Sequence, residues 1–165
     1  MSLPSTPVRV RRRRLSFATA AVVVLADQIS KIWAARVLPG AGSQPLLPGL
    51  LDLHYTTNTG AAFSLFTGSS RALGVVSLAV ALVVAVWIQR SSSRDLSLSR
   101  ALALGCLLGG AIGNGIDRWR LGAVIDFLAL VPVNFPVFNI ADVAINLAVV
   151  GFAIDLLRSQ PRSDG

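Results

Sequence analysis

The sequence predicts an all-α integral membrane protein with four transmembrane helices and a small β-sheet on the outer membrane surface. The composition is the first observation, because 53% of the residues are hydrophobic, 14% are charged and the mean hydropathy is +0.67. The second is a series of apolar segments close to the roughly 20 residues that cross a bilayer as a helix. The third is that basic residues gather at the ends of these segments. With 165 residues, the chain has room for one membrane domain.

Hydropathy places the predicted helices between two short tails. The tail 1–14 is basic and the tail 158–165 follows the last apolar segment, and both are expected to be cytoplasmic. The membrane domain between them, 15–157, has predicted spans at 15–37, 72–88, 101–116 and 137–157. The second and third segments are slightly short for a full crossing.

The basic residues predict the orientation of the chain. Ten of the fifteen precede the first span, separate the second from the third, or follow the fourth: Arg9, Arg11, Arg12, Arg13, Arg14, Arg90, Arg94, Arg100, Arg158 and Arg162. The other five lie on the opposite side or near that end of a span: Lys31, Arg36, Arg71, Arg118 and Arg120. The positive-inside rule therefore predicts that both termini are cytoplasmic. A net charge of +7 on a soluble surface would suggest nucleic acid, but charge at the ends of apolar segments indicates membrane topology. We expect no nucleic-acid partner.

The N-terminal segment has an alternative interpretation as a cleavable secretory signal, because a basic stretch precedes an apolar one. The apolar pattern resumes at Ile29, however, and cleavage would remove Asp27 and Lys31. We therefore expect this segment to remain as the first span.

The segment 38–71 is expected to be a structured outer connection. Residues 51–57 alternate apolar and polar side chains, as a half-exposed strand does. Prolines and glycines interrupt the remainder. We therefore expect a small sheet on the membrane surface, with His54 as a solvated strand residue.

The acidic residues indicate where the function lies. All eight are aspartates, and four of them lie in or against apolar segments: Asp27, Asp117, Asp126 and Asp142. A carboxylate near hydrocarbon is costly unless it is paired or protonated, so such residues are typical of functional sites. The predicted topology brings these four to the outer face of the membrane.

Asp126 and Asp142 are the best candidates for a catalytic pair. Pro132 and Pro136 lie between them and prevent one continuous helix, so the two carboxyl groups can meet only across a loop. Two carboxyl groups held close together in a low dielectric share a proton, so that one acts as base and the other as acid. This pair can hydrolyse an amide with water and needs no covalent intermediate. The sequence leaves open which aspartate is the base.

The neighbours of this pair also have structural interpretations. Asn139, one turn before Asp142, is either a helix N-cap or a group that orients the carboxylate. Asp117 and Arg118 are predicted to form an ion pair at a helix end that supports the site.

Two further pairs are expected to be structural. Asp27 and Lys31, at positions i and i+4, are predicted to form a salt bridge, and the alternative is that they shape the outer rim of the site. Asp155 and Arg158 are predicted to pair at the cytoplasmic end.

Asparagine and glycine mark expected points of close approach. Asn58 and Gly60 precede an amphipathic stretch at the outer surface, where their amide groups suit an extended peptide. Gly105, Gly109 and Gly113 form small-xxx-small repeats that are typical of helix packing in membranes.

We expect neither a metal nor a cofactor. The chain has one histidine, His54, and one cysteine, Cys106, which are too few for a conventional zinc site.

Five motifs together resemble the lipoprotein signal peptidases, also called signal peptidase II. They occur in the order of that family and cover Asp27 to Asn146: Asp27-Gln-Ile-Ser-Lys31, Asn58-Thr-Gly-Ala-Ala-Phe-Ser64, Gly113-Asn114-Gly-Ile-Asp117-Arg118, Val124-Ile-Asp126-Phe127 and Phe138-Asn139-Ile-Ala141-Asp142. Each motif is weak alone, but five in order are specific.

This resemblance implies a bacterial inner-membrane aspartic endopeptidase without a cofactor. Such an enzyme removes the signal peptide from prolipoproteins by cutting before a diacylglyceryl-modified cysteine. The resemblance implies a catalytic dyad of Asp126 and Asp142. It implies that Asn58, Gly60, Asn114, Arg118 and Asn139 bind substrate or the inhibitor globomycin, and that Asp27, Lys31, Asp117 and Ala141 support the site.

The expected partners are the lipid-modified precursor and membrane lipid, and the chain is expected to act as a monomer. Phe63, Phe66, Phe127 and Phe138 lie beside the polar motifs. We therefore expect a substrate to reach the site from the outer leaflet while its acyl chains stay in lipid.

Two alternatives belong to other functional classes. A small proton-coupled transporter would also keep aspartates in a helical bundle, but would place them near the bilayer midplane, often in repeated halves. A non-catalytic assembly subunit would explain the glycines and not the two carboxylates.

Overall fold

The computed structural model describes residues 8–60, 69–91 and 96–159. Four helices and three strands follow one another along the chain. In order they are α1 (Val8–Val37), β1 (Gln44–Leu47), β2 (Leu51–Asn58), α2 (Ser70–Arg90), α3 (Leu98–Leu121), β3 (Val124–Leu130) and α4 (Ile140–Ser159).

Helix α3 lies at the centre of the bundle and packs against each of the other three helices. Its glycines make this possible. A Cβ on Gly105 would lie 2.6 Å from the carbonyl oxygen of Ser16, and a Cβ on Gly109 would lie 2.6 Å from the Cβ of Val23. Because α1 leaves no room for a side chain there, the predicted packing role of these two glycines is confirmed.

Three helical segments are long and apolar enough to cross a membrane, by length and composition: Arg12–Val37, Ser70–Arg90 and Ile140–Arg158. Helix α3 occupies the position of the remaining predicted span, but it is less uniformly apolar. Its last turns carry Asp117, Arg118 and Arg120. The count of four crossings therefore stays a prediction.

The helices extend beyond several predicted boundaries. Helix α1 begins at Val8, inside the predicted basic tail, and α4 extends to Ser159. Helix α3 continues to Leu121 rather than ending near residue 116, whereas α4 begins at Ile140 rather than at 137. Hydropathy detects where charge begins, but a helix ends where its hydrogen bonds end, so the two boundaries differ.

The sheet is three-stranded and antiparallel, in the order β1-β2-β3. The predicted strand at 51–57 is confirmed as β2, and His54 is exposed on it. Strand β3 was not predicted, because its first five residues are all buried and show no alternation. It pairs with β2 so that Asp126 lies opposite Thr56. The pairing therefore fixes one catalytic candidate against the outer connection.

The sheet rests on the end of α1. Phe127 and Leu128 of β3 form a buried cluster with Ala34 and Leu38. Phe138 then bridges back to Leu128, so the segment after β3 folds across the strand before α4 begins. This return places the first turn of α4 beside β3.

The opposite end of the bundle carries a polar cluster of its own. Asp155 accepts hydrogen bonds from Ser97 and from Nε of Arg100, and the Arg100 Nη2 lies 2.6 Å from its Oδ2. The sequence predicted Arg158 as the partner of Asp155, whereas the structure pairs Asp155 with Arg100, which joins α4 to the start of α3. Arg13 also donates to the carbonyl oxygen of Ser91, at 2.7 and 3.0 Å.

Candidate active site

Asp126 is buried in the middle of β3, with 3% of its surface exposed. Its Oδ1 accepts a hydrogen bond of 2.6 Å from Nδ2 of Asn139. The side chain of Asn58, at the end of β2, also hydrogen-bonds to it. The carboxyl group of Asp126 is therefore held by two neutral amides from two other parts of the chain.

Asp142 lies in the first turn of α4 and forms a reciprocal cap with Asn139. The Asp142 backbone N–H donates to Oδ1 of Asn139 at 3.0 Å, and the Asn139 N–H donates to Oδ2 of Asp142 at 3.2 Å. This arrangement satisfies two backbone donors at the helix start. The two interpretations of Asn139 are thus both correct, because the cap that starts α4 also orients Asp142 and holds Asp126.

Asn114 of α3 connects the pair to the rest of the bundle. Its Oδ1 accepts from Nζ of Lys31 at 3.0 Å and from Nδ2 of Asn139 at 3.1 Å. Its Nδ2 donates to Oδ1 of Asp142 at 2.8 Å. Since two donors converge on the oxygen, the amide has one orientation that satisfies all three contacts, and its NH₂ group faces Asp142.

Lys31 is buried between two carboxylates. Its Nζ lies 2.9 Å from Oδ2 of Asp27 and 3.0 Å from Oδ2 of Asp117, and 2% of the lysine side chain is exposed. The predicted Asp27–Lys31 salt bridge is confirmed. The alternative of an outer rim is wrong, because Asp27 is fully buried and its Oδ1 accepts from the N–H of Ala141 at 3.0 Å. Asp27 thereby fixes the first turn of α4 against α1.

The predicted ion pair between Asp117 and Arg118 is wrong. Consecutive helix residues point about 100° apart, and Asp117 faces Lys31 and the backbone N–H of Ile125 instead, at 3.2 Å for the latter. Arg118 donates to the carbonyl oxygens of Asn114, at 3.3 Å, and Gly60, at 3.4 Å. Gly60 in turn donates its N–H to Oδ1 of Asn58.

The contacts of Gln28, and the close approach of Gly113 to Asp27, were not predicted from the sequence. The Nε2 of Gln28 lies 3.1 Å from Oδ2 of Asp27, 3.1 Å from Oδ1 of Asp117 and 3.2 Å from the carbonyl oxygen of Gly113. A Cβ on Gly113 would lie 2.5 Å from Oδ2 of Asp27. A polar residue inside an apolar span was the available signal for Gln28.

A cavity of about 500 Å³ opens beside the two candidate catalytic residues. Its polar lining consists of the pair itself, Asp126 and Asp142, of three side chains near the pair, and of one further along α4: Asn58, Asn114 and Arg118, and Asn146. The rest of the lining is apolar and includes Phe138, whereas Phe127 belongs to the core cluster beneath the sheet. Phe63 and Phe66 lie outside the described residues.

Burial raises the pKa of Asp126 to about 6, and the nearby charge of Asp142 acts in the same direction. The hydrogen bonds from Asn139 and Asn58 oppose this shift. Asp126 therefore holds its proton up to a pH at which an ordinary aspartate is ionised. A carboxyl group of this kind can serve as a proton donor near neutral pH.

Two solved bacterial membrane enzymes have a fold similar to that of this chain. It is similar to a bacterial membrane enzyme solved by the in meso method at 2.3 Å resolution, with a TM-score of 0.80 and 28% identity over 91% of this chain and 93% of the other. A second such structure, at 1.9 Å, gives a TM-score of 0.77 over 88% of this chain and 94% of the other, also with 28% identity.

A family profile described as signal peptidase (SPase) II matches residues 19–158. The chain is 51% identical to a lipoprotein signal peptidase of Parasynechococcus marenigrum (strain WH8102), over 93% of this chain and 96% of the relative. It is 52% identical to one of Synechococcus sp. (strain RCC307), over 86% and 93%. The chain belongs to the signal peptidase II family, and it is a membrane peptidase. The transporter and assembly-subunit alternatives do not fit this membership.

Proposed function

We propose that Asp126 and Asp142 are the catalytic pair with which this peptidase removes signal peptides from lipoprotein precursors, cutting before a diacylglyceryl-modified cysteine. One observation carries the proposal. The carboxyl groups come from strand β3 and from helix α4, which follows it across a loop, Asn139 hydrogen-bonds to both, and both line the same cavity.

The chemistry follows from one proton shared by two carboxyl groups. The ionised carboxylate takes a proton from water, and the water oxygen bonds to the scissile carbonyl carbon. The protonated carboxyl group donates to the carbonyl oxygen and stabilises the charge that develops there. As the C–N bond breaks, the leaving amine takes a proton from the pair, which returns to its singly protonated state.

The polar residues around the pair are proposed to position the peptide. Asn58, Asn114 and Arg118 line the cavity. The Nε of Arg118 is buried and has no hydrogen-bond partner among the described residues, so it is a donor that a substrate carbonyl can satisfy. Gly60 and Asn139 act indirectly, because Gly60 holds Asn58 and Arg118, while Asn139 holds both aspartates.

The proposed topology has four crossings and cytoplasmic termini, with the pair near the outer face. The membrane domain spans 15–157 between the basic tail 1–14 and the tail 158–165, and it acts as a monomer. The positions of the basic residues support this orientation. The sheet and the cavity then lie on the outer side, where a lipid-anchored precursor is accessible from the outer leaflet.

Cleavage of matched precursors tests the substrate assignment. Purified protein in one bilayer composition would receive the same precursor with and without its diacylglyceryl group. We expect a specificity constant at least about a hundredfold higher for the lipidated form, because two acyl chains bring binding energy that the peptide lacks. Similar constants for both forms would refute the assignment.

A further inference from the structure

The cavity extends beyond the catalytic candidates along one face of α4. Four of its lining residues on this helix are Val143, Asn146, Leu147 and Val150. Their spacing of i, i+3, i+4 and i+7 puts them on one stripe of the helix. At 1.5 Å per residue, Val150 lies about 12 Å beyond Asp142, so the stripe extends well past the space that a scissile peptide bond needs.

This stripe is both apolar and accessible. Leu147 is 57% exposed and Val150 is 53% exposed. At the end of the groove next to Asp126 and Asp142, Phe135 and Phe138 form an apolar wall. Their rings make an edge-to-face contact with centroids 6.0 Å apart. The groove therefore begins at the candidate catalytic residues and continues along a helix of membrane-crossing length and composition.

Asn146 is the polar exception on this stripe. It is exposed, and its Nδ2 donates to the carbonyl oxygen of Asp142 at 2.9 Å. One helical turn separates it from the pair, and Leu147 and Val150 lie beyond it. A polar side chain between a catalytic centre and an apolar groove suits a ligand whose ester groups join a polar head to a hydrocarbon chain.

We propose that this groove, defined by Val143, Asn146, Leu147 and Val150, binds one acyl chain of the substrate and places its glyceryl ester next to Asn146. The proposal rests on the proposed function and adds the location of the lipid. Its support is the continuity of the cavity from Asp126 and Asp142 down α4. The acyl chain then fixes the distance between the lipidated cysteine and the two carboxyl groups.

Leu147→Trp tests this proposal, because the larger ring fills the groove at an exposed position where the fold tolerates it. We expect kcat/KM for the lipidated precursor to fall by about tenfold or more, because the acyl chain no longer positions the scissile bond. Val149→Trp is the matched control. Val149 lies on the same helix at similar depth and is 63% exposed, but it does not line the cavity.

The outcomes separate this proposal from the function on which it rests. If wild-type protein does not discriminate between lipidated and unlipidated precursors, the proposed function fails. If it discriminates, and Leu147→Trp behaves like Val149→Trp, the groove assignment is wrong and the function stands.

Photo-crosslinking gives a second measurement that does not depend on turnover. A precursor with a diazirine in one acyl chain would be bound to Asp126→Asn protein in a bilayer, irradiated, and analysed by mass spectrometry. We expect adducts within 143–150. Adducts confined to α1 or α2, or crosslinks to lipid alone, would overturn the proposal.

Discussion

Two pairs of aspartates lie side by side in this protein, and their surroundings differ: Asp27, Asp117 and Asp126 are buried, whereas Asp142 is partly exposed. Asp27 and Asp117 share the ammonium group of Lys31, and each of their four carboxylate oxygens has a donor. Asp126 and Asp142 accept hydrogen bonds from neutral amides, and they line the cavity, which the other pair does not. Burial alone therefore does not separate the two pairs, whereas access to the cavity does.

The difference between the pairs has a physical basis. The carboxylate oxygens of Asp27 and Asp117 are all occupied by Lys31, Gln28 or backbone N–H groups, so they join α1 to α3, β3 and the start of α4. A buried carboxylate held by amides can gain or lose a proton and can reach substrate through the cavity. The first pair therefore builds the scaffold, and we assign the chemistry to the second.

The largest effect is expected from the cavity-lining pair. Asp126→Asn and Asp142→Asn should each reduce turnover of purified lipidated precursor by about a thousandfold or more, since asparagine keeps the shape but cannot relay a proton. Both variants should remain folded and inserted in the membrane. Asp155→Asn, at the opposite end of the bundle, is the control and should cleave at nearly the wild-type rate. Near wild-type turnover in either pair variant would remove that residue from the dyad.

The scaffold pair should affect stability before chemistry. Asp27→Ala leaves Lys31 with one carboxylate and removes the acceptor of the Ala141 N–H, and breaking a buried pair costs about 3–5 kcal/mol. We expect a clearly lower melting temperature and folded yield. The fraction that folds should retain more activity than either variant of the cavity-lining pair. A stably folded Asp27→Ala protein without any activity would instead place Asp27 in the chemistry.

The raised pKa of Asp126 gives a smaller, pH-dependent effect on stability. The raised pKa adds a contribution to the free energy of unfolding. This contribution is fully present below the ordinary aspartate pKa of 3.8 and is lost as the pH rises through about 6. Two pKa units correspond to about 3 kcal/mol. Asp126→Asn does not titrate, so its melting temperature relative to wild type should rise between pH 4 and pH 7. A difference that does not change with pH would contradict the shift.

The smallest expected effect is that of chelators. The proposed reaction uses two carboxyl groups and water, so EDTA should leave the cleavage rate unchanged. Inhibition by EDTA that a divalent cation reverses would show that the reaction needs a metal ion in addition to the two carboxyl groups.

Elements with a clear hydropathy pattern could be predicted well from the sequence. The apolar segments gave the four helices, and the alternation at 51–57 gave β2. Both depend on where side chains meet solvent or hydrocarbon, which hydropathy records directly. Strand β3 was missed because its first five residues, Val124 to Leu128, are buried on both sides and lose the alternation.

The chain by itself determined the helical membrane class, the candidate residues of the site and their family order, because these depend on composition and spacing. Helical spacing also gave the Asp27–Lys31 pair, but only the tertiary structure decided the other partners. Asp117 lies next to Arg118 in sequence but bonds to Lys31, and Gln28 joins Asp27 to Asp117 across two helices. Adjacent helix residues diverge in direction, and residues on different helices converge only when the helices pack, so these partners follow from packing and not from sequence distance.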